Sequence, residues 1–205
     1  NYELNILTNK TKVEDILEDN HIIIAAGGLS KQKNYPMLLE AFALFNKKDN
    51  SYRLHIYGEG TEQEQLQRYV EKLGLSQNVI FKGLELDIHK RMQEATMYVL
   101  SSDYEGISNS LLEAMSMGMP CISTDCPCGG SRHLIKNGIS GILTEVGNAR
   151  NFADAIEQIA FSKEYAKSLG KEALKIRYSH SEDEILAQYF QYIMSRVKKN
   201  EKNII

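Results

Sequence analysis

Short apolar runs bounded by glycine or charge alternate along the chain with longer stretches in which apolar residues return every three or four positions. The runs occupy 22–26, 52–57, 78–83, 96–100, 119–124 and 139–146. The first is uninterrupted and β-branched, as suits a strand buried on both faces of a parallel sheet, whereas 52–57 alternates apolar and polar residues. Between the runs, Met37, Leu38, Ala41, Phe42 and Phe45 recur at helical spacing up to Lys48. Thr61-Glu-Gln-Glu64 reads as a capping box opening a helix that Gly74 ends, and 88–95 reads as a charged amphipathic helix. Pro120 can start its strand because a missing N–H costs nothing there. A short helix at 133–136 and amphipathic helices across 149–199 follow, the last capped by Ser181-Glu-Asp-Glu184. About six strands alternating with helices predict an α/β fold, a doubly wound parallel sheet with right-handed crossovers. Its ligand crevice should lie at the C-terminal ends of the strands.

The candidate chemistry sits at those ends. The polar loop after the run 96–100 leads into a helix beginning near Asn109. Backbone N–H groups at such a helix start are unpaired and lie at the positive end of the helix dipole, which suits an anion such as a diphosphate. Glu105 precedes the helix, and Glu113 lies in its first or second turn. Because helical side chains lean towards the N-terminus, both carboxylates are expected to reach one ligand. Spacing alone leaves a second reading of Glu113 open, since Ser110-Leu-Leu-Glu113 is also a capping box. The loop from Gly27 to Asn34 matches neither the dinucleotide nor the P-loop pattern and reads as a tight turn with exposed lysines. Gly58-Glu59-Gly60, Gly83-Leu84 and Gly129-Gly130 occupy three more strand ends, with Leu84 also readable as an ordinary core residue.

Composition narrows the partners. The chain has 205 residues and a net charge of −3, with charges mixed throughout. That length suits one core, taken as a domain over 21–180 after a linker-like 1–20 and before a terminal helix and tail over 181–205. The charge supplies no basic field for nucleic acid, although 196–202 is locally basic. No apolar run is long enough to span a bilayer and no leader pattern is present, so a cytoplasmic location is expected, at most at the inner face of a membrane. Cys121, Cys126 and Cys128 form an odd count that argues for free thiols. With His21, His55, His89, His133 and His180 scattered, the roughly four ligands of a zinc site are not assembled, and no metal is expected.

The stretch Glu105-Gly-x-x-Asn-Ser-Leu-Leu-Glu113-Ala-Met resembles the signature of family 4 (group 1) retaining glycosyltransferases of the GT-B fold, and the likeness runs from about Ile22 to Val146. The resemblance implies the C-terminal, nucleotide-sugar-binding domain of such an enzyme, with an N-terminal acceptor domain as its partner. It implies a UDP-sugar donor, a glycan or lipid-linked acceptor of the bacterial capsule or lipopolysaccharide kind, and peripheral membrane contact of the longer enzyme. In that family the first Glu contacts the donor sugar, loop amides hold the diphosphate, and the second Glu binds the ribose hydroxyls. The roles fall on Glu105, on the amides of Gly106, Ile107, Ser108, Asn109, Ser110 and Leu111, and on Glu113. Lys33 matches the Lys of the family's Gly-Arg-Leu-x-x-x-Lys segment and, with Glu105, is the expected catalytic pair. Gly28 stands where the Arg is expected, and Lys31 or Arg132 are the cations that could replace it. Gly58 and Gly60 match glycines beside the nucleotide, and Gly83 and Leu84 match a loop that pinches the base. His133 replaces a usual Glu and receives no role. The alternatives are a sugar-nucleotide epimerase or a phosphorylase of the same architecture, the latter requiring a pyridoxal lysine, and a non-catalytic nucleotide-binding module, for which Gly28 argues.

Overall fold

The computed structural model describes residues 20–179 together with 184, 186 and 190–192. The six runs form β1 (Ile22–Ala26), β2 (Arg53–Tyr57), β3 (Val79–Gly83), β4 (Met97–Leu100), β5 (Cys121–Thr124) and β6 (Ile142–Thr144). They pair in the order β3-β2-β1-β4-β5-β6, with every neighbour parallel. Chain order runs outward in one direction from β1 to β3 and in the other from β4 to β6. The loops after β1 and β4 therefore diverge to opposite faces, and the split between them is where such a sheet admits a ligand.

Among the described residues, seven helices connect and cover the strands: α1 (Tyr35–Asn46), α2 (Gln63–Lys72), α3 (Ile88–Gln93), α4 (Asn109–Ser116), α5 (Gly130–Leu134), α6 (Ala149–Ala160) and α7 (Lys163–Ala173). The apolar stripe predicted for α1 is its buried face. Leu38, Ala41, Phe42 and Phe45 are fully buried and share one core with Phe152 and Ile156 of α6. Phe45 also meets the ring of Tyr52 at 5.1 Å. Asn34 caps α1, its side chain accepting the Met37 amide at 3.2 Å, and Pro36 fits the first turn, where its missing N–H is not needed.

Local signals misplaced several boundaries where neighbouring loops overrule them. Helix α2 starts at Gln63 without a side-chain cap, so the Thr61 capping box does not form. The Glu62 amide bonds instead to Leu29 O at 3.2 Å, and this tie to the loop after β1 holds the entry residues out of the helix. Helix α5 runs Gly130–Leu134 rather than 133–136, because Gly129 in the left-handed region (φ 78) turns the chain into the helix three residues earlier. Strand β6 covers only Ile142–Thr144, since the residues before it form a turn in which Asn137 Oδ1 accepts the Leu143 amide at 2.9 Å. Residues 1–19, Ser181 and the basic 196–202 lie outside the described residues, as does the cap expected at Ser181. Lys175–Ile205 forms a separate unit, which includes the short helix α8 (Ile176–Ser179). Among the described residues no helix is long and apolar enough to cross a membrane.

One core-edge residue carries a pH prediction. Burial, and then the positive charge of Lys82, push the half-buried His55 of β2 down to about 4. An unfolded histidine titrates near 6.5. Between those values the folded state binds fewer protons than the unfolded chain, so stability is fully present above about pH 6.5 and is lost as pH falls towards 4. His55→Gln should flatten the decline of melting temperature over that window. Equal slopes for parent and variant would place the dependence elsewhere.

Candidate active site

Three loops at the C-terminal ends of the strands, those after β1, β2 and β3, are tied to one another by backbone bonds. Gly27 N donates to Tyr57 O at 2.9 Å, Leu29 N to Glu59 O at 2.9 Å, and Gly58 N to Gly83 O at 2.8 Å. The glycines Gly58 and Gly60 are required by this contact. A Cβ on Gly58 would lie 2.0 Å from the Gly27 carbonyl oxygen, and one on Gly60 would lie 2.3 Å from that of Leu29. Their small size thus serves loop-on-loop packing within the protein, whatever it also allows a ligand.

Across the split between β1 and β4 the backbone bond from Asp103 N to Gln32 O at 2.9 Å is joined by ties that side chains make. Ser101 Oγ donates to Lys33 O at 2.7 Å, Gln32 Nε2 to Tyr104 O at 3.0 Å, and Asn34 Nδ2 to Asp103 Oδ1 at 2.5 Å. At the centre, Lys33 Nζ donates to Glu105 Oε2 at 2.5 Å, with the two side chains only 16% and 14% exposed. Gly27 makes room for this fold-back, since a Cβ there would meet Lys33 Cε at 3.1 Å. Ser102 Oγ also donates to Glu105 Oε2, at 3.2 Å. The backbone of Glu105 is held from the far side, where Cys126 Sγ donates to its carbonyl at 3.7 Å and Gly130 packs on Gly106. The two expected catalytic residues therefore form a partly enclosed ion pair at the switch point of the sheet.

Helix α4 opens beside that pair. Its N-cap is Ser108, whose Oγ accepts the Leu111 amide at 3.4 Å. Glu113 is therefore the fifth helical residue, in the second turn, where it cannot close a capping box with Ser110. That reading is set aside. The Leu111 amide is engaged by the cap and its side chain is in the core, so it does not join the expected row of donors. The amides of Gly106, Ile107, Ser108, Asn109 and Ser110 make no hydrogen bond within the described residues. Tyr98, fully buried in β4, fixes this end: its hydroxyl donates to Ser110 Oγ at 2.7 Å, and Ser110 Oγ donates to Ala26 O at 3.2 Å. Burial pushes the Tyr98 hydroxyl well above the usual tyrosine range, so it stays a neutral donor. An anion here would meet unpaired donors, the helix dipole and one ammonium.

The remaining candidates divide. Gly83 lies in the left-handed region (φ 69) at the end of β3, and Leu84 is 71% exposed at the mouth of the crevice, not a core residue. Ile107 is likewise exposed. The two carboxylates face different partners: Glu105 meets Lys33, while Glu113 Oε2 stands 3.6 Å from His89 Nε2 of α3. Arg132 meets Asp125 in an exposed two-pronged pair at 2.7 and 2.8 Å. Lys31 is exposed on the short turn before α1. Sequence reasoning passed over Ser102, Tyr98 and His89. Tyr98 is one apolar-looking residue in an apolar run, and nothing local to His89 announces a partner 24 positions later.

Gly28 is the informative departure. Its backbone lies outside the left-handed region, and a Cβ there would meet Glu59 O at an ordinary 3.8 Å. A side chain is therefore accepted, and Gly28→Arg should leave stability within about 0.5 kcal/mol. If the crevice takes the UDP that the resemblance implies, the added guanidinium should tighten its binding by roughly tenfold, the lower end for a hydrogen bond to a charged group at a site open to water. Calorimetric titration checks it, and an unchanged affinity would show that position 28 does not face the diphosphate.

The comparisons with known proteins bear on the family and the fold. EpsD of Bacillus subtilis (strain 168), assigned to the glycosyltransferases, is 38% identical over 165 residues, which is 80% of this chain and 43% of EpsD. Staphylococcus aureus TarM, as a variant in complex with fondaparinux, α-GlcNAc-glycerol and UDP, superposes with a TM-score of 0.79 at 28% identity, over 89% of this chain and 36% of TarM. The C-terminal domain of LpcC from Francisella tularensis shares the fold at a TM-score of 0.72 and 20% identity, over 86% of this chain and 96% of that domain. This chain thus spans less than half of EpsD and of TarM, and its Rossmann-like sheet is that of one half of a GT-B glycosyltransferase. With the model of the glycosyl transferases group 1 family matching residues 8–176, and with its two signature carboxylates set at the switch crevice, the chain belongs to that family.

Proposed function

We propose that this chain is the donor-binding half of a retaining glycosyltransferase that uses a UDP-sugar and serves a glycan or lipid-linked acceptor. The observation that carries the reading is the Lys33–Glu105 pair beside the unbonded amides of residues 106–110 at the split between β1 and β4. UDP in the TarM complex, at 28% identity, supports the choice of nucleotide.

In this reading the diphosphate lies over the N-terminus of α4, and Lys33 turns from Glu105 to a phosphate oxygen. As the bond from the sugar C1 to the diphosphate oxygen breaks, the charge that gathers on that oxygen is stabilised by Lys33 and by the amides. Glu105, released from Lys33, orients the sugar, while the hydroxyl of an acceptor held by a second domain attacks C1 from the face the diphosphate leaves and gives its proton to the departing phosphate oxygen. Cation and amides together do what a divalent ion does elsewhere, so the reaction is proposed to be metal-free.

Titration of this chain with UDP tests it. The expected dissociation constant is on the order of 0.1–1 mM, because half of the enclosing surface belongs to another domain and water screens an open crevice. EDTA should leave that value unchanged, and no transfer is expected without the acceptor domain to complete the reacting geometry. Absence of binding at several times that concentration would overturn the donor-domain reading, and its loss in EDTA would overturn the metal-free mechanism. Gly28 favours a second reading, a domain that binds the nucleotide without turnover. Transfer by the longer protein would decide against that one.

A further inference from the structure

The β3 side of the crevice holds a histidine that the roles above leave unused. His89 lies in the first turn of α3, whose cap Asp87 accepts the Lys90 amide at 3.3 Å. The neighbouring Arg91 is turned to Glu85 at 2.9 Å and Glu94 at 3.4 Å, away from α4. His89 instead faces α4: its Nε2 stands 3.6 Å from Glu113 Oε2, with the side chains 18% and 27% exposed. Both ends of this contact are anchored. His89 is on a capped turn, and Glu113 is on a helix fixed at its start by Ser108 and by the Tyr98–Ser110–Ala26 chain.

We infer that His89 is a positioning residue for Glu113, aligning its carboxylate for the ribose of the donor nucleotide and so setting the preference for ribose over deoxyribose. The inference rests on the proposed ribose role of Glu113. A glutamate has three rotatable bonds, and to accept two neighbouring hydroxyls together its plane must be set. A partner that already restrains one oxygen reduces the ordering left for the ligand to impose. A carboxylate offers about four acceptor positions, so an oxygen approached by His89 still has capacity for a hydroxyl. At 3.6 Å the approach is longer than a hydrogen bond, and its effect is orientation through charge and dipole.

The test compares UDP with 2′-deoxy-UDP by NMR titration on the parent chain, Glu113→Gln, His89→Ala and His89→Gln. The parent should prefer UDP by roughly tenfold or more, the value of charge-assisted bonds to ribose, and Glu113→Gln should remove most of that preference. His89→Ala should bring the two ligands to within about threefold while leaving 2′-deoxy-UDP nearly unchanged, and His89→Gln, which keeps a donor of similar reach, should restore most of the difference. Unchanged 2′-deoxy-UDP binding also certifies that the site is folded in each variant. If Glu113→Gln loses the preference and His89→Ala keeps it, the positioning role is overturned while the ribose reading stands. If Glu113→Gln keeps it, the ribose reading falls and the inference falls with it. A loss of both ligands in His89→Ala and His89→Gln alike would make His89 structural and also overturn the proposal.

Discussion

Glu105→Gln is expected to abolish most transfer by the longer enzyme while leaving UDP bound at least as tightly as before. The expectation comes from the 2.5 Å contact to Lys33, in which the carboxylate competes with a phosphate for the same ammonium. Removing its charge frees the ammonium for the nucleotide but removes the group proposed to orient the sugar. Loss of a group that acts chiefly in the transition state is worth about 10²–10³ in rate. Lys33→Ala should differ in kind, weakening UDP by roughly 1.5–3 kcal/mol, the usual worth of a hydrogen bond to a charged group. Each change also leaves a partly enclosed partner uncompensated. Because both side chains keep some water contact, a stability loss of about 1–2 kcal/mol is expected, less than for a fully buried pair. Calorimetry with UDP on both variants, and rates with the longer enzyme, check the contrast. If Glu105→Gln weakened UDP as much as Lys33→Ala does, the pair would be a structural clasp and not two roles held in reserve.

Gly130→Ala should be among the most damaging single-methyl changes in the crevice. A Cβ at Gly130 would lie 1.8 Å from the Gly106 carbonyl oxygen and 2.9 Å from that of Glu105. No flexible side chain can yield there, because both obstacles are backbone, so the loop carrying Glu105 would have to move. Overpacking of this severity costs about 3 kcal/mol or more, which in a domain of this size lowers the melting temperature by roughly 6–12 °C. UDP binding should fall with it, since the same loop supplies the amides. Gly106→Ala is the control: nothing lies within 4 Å of its Cβ position, and that variant should melt close to the parent. A Gly130→Ala chain with parental melting and parental UDP affinity would show that the two loops are not in contact in solution.

Much of this was legible in the residues. Uninterrupted or alternating apolar runs of five or so residues, separated by helical periods, allow little besides a parallel sheet covered on both faces. The small polar loop between Glu105 and Glu113 pointed to an anion site at a helix start, whereas the loop holding Lys33 read locally as a turn with exposed lysines and was matched to that site only through the family resemblance. Local periodicity reports what a segment buries, and those segments were buried as read except at the edge strand β3, where Val79 is buried and Ile80 is exposed. It does not report which loops touch. Only the strand order brought Lys33 and Glu105, 72 positions apart, within 2.5 Å, set Gly130 against Gly106, and gave Glu113 the histidine of α3 as a neighbour. The same contacts corrected the local signals. The cap of α4 is Ser108 and not Ser110, and Thr61 caps nothing because residue 62 is tied to the loop after β1. The physical reason is one of range: side-chain spacing encodes which face of an element is apolar, whereas the partners of a polar group at a strand end depend on which loops the sheet order places side by side.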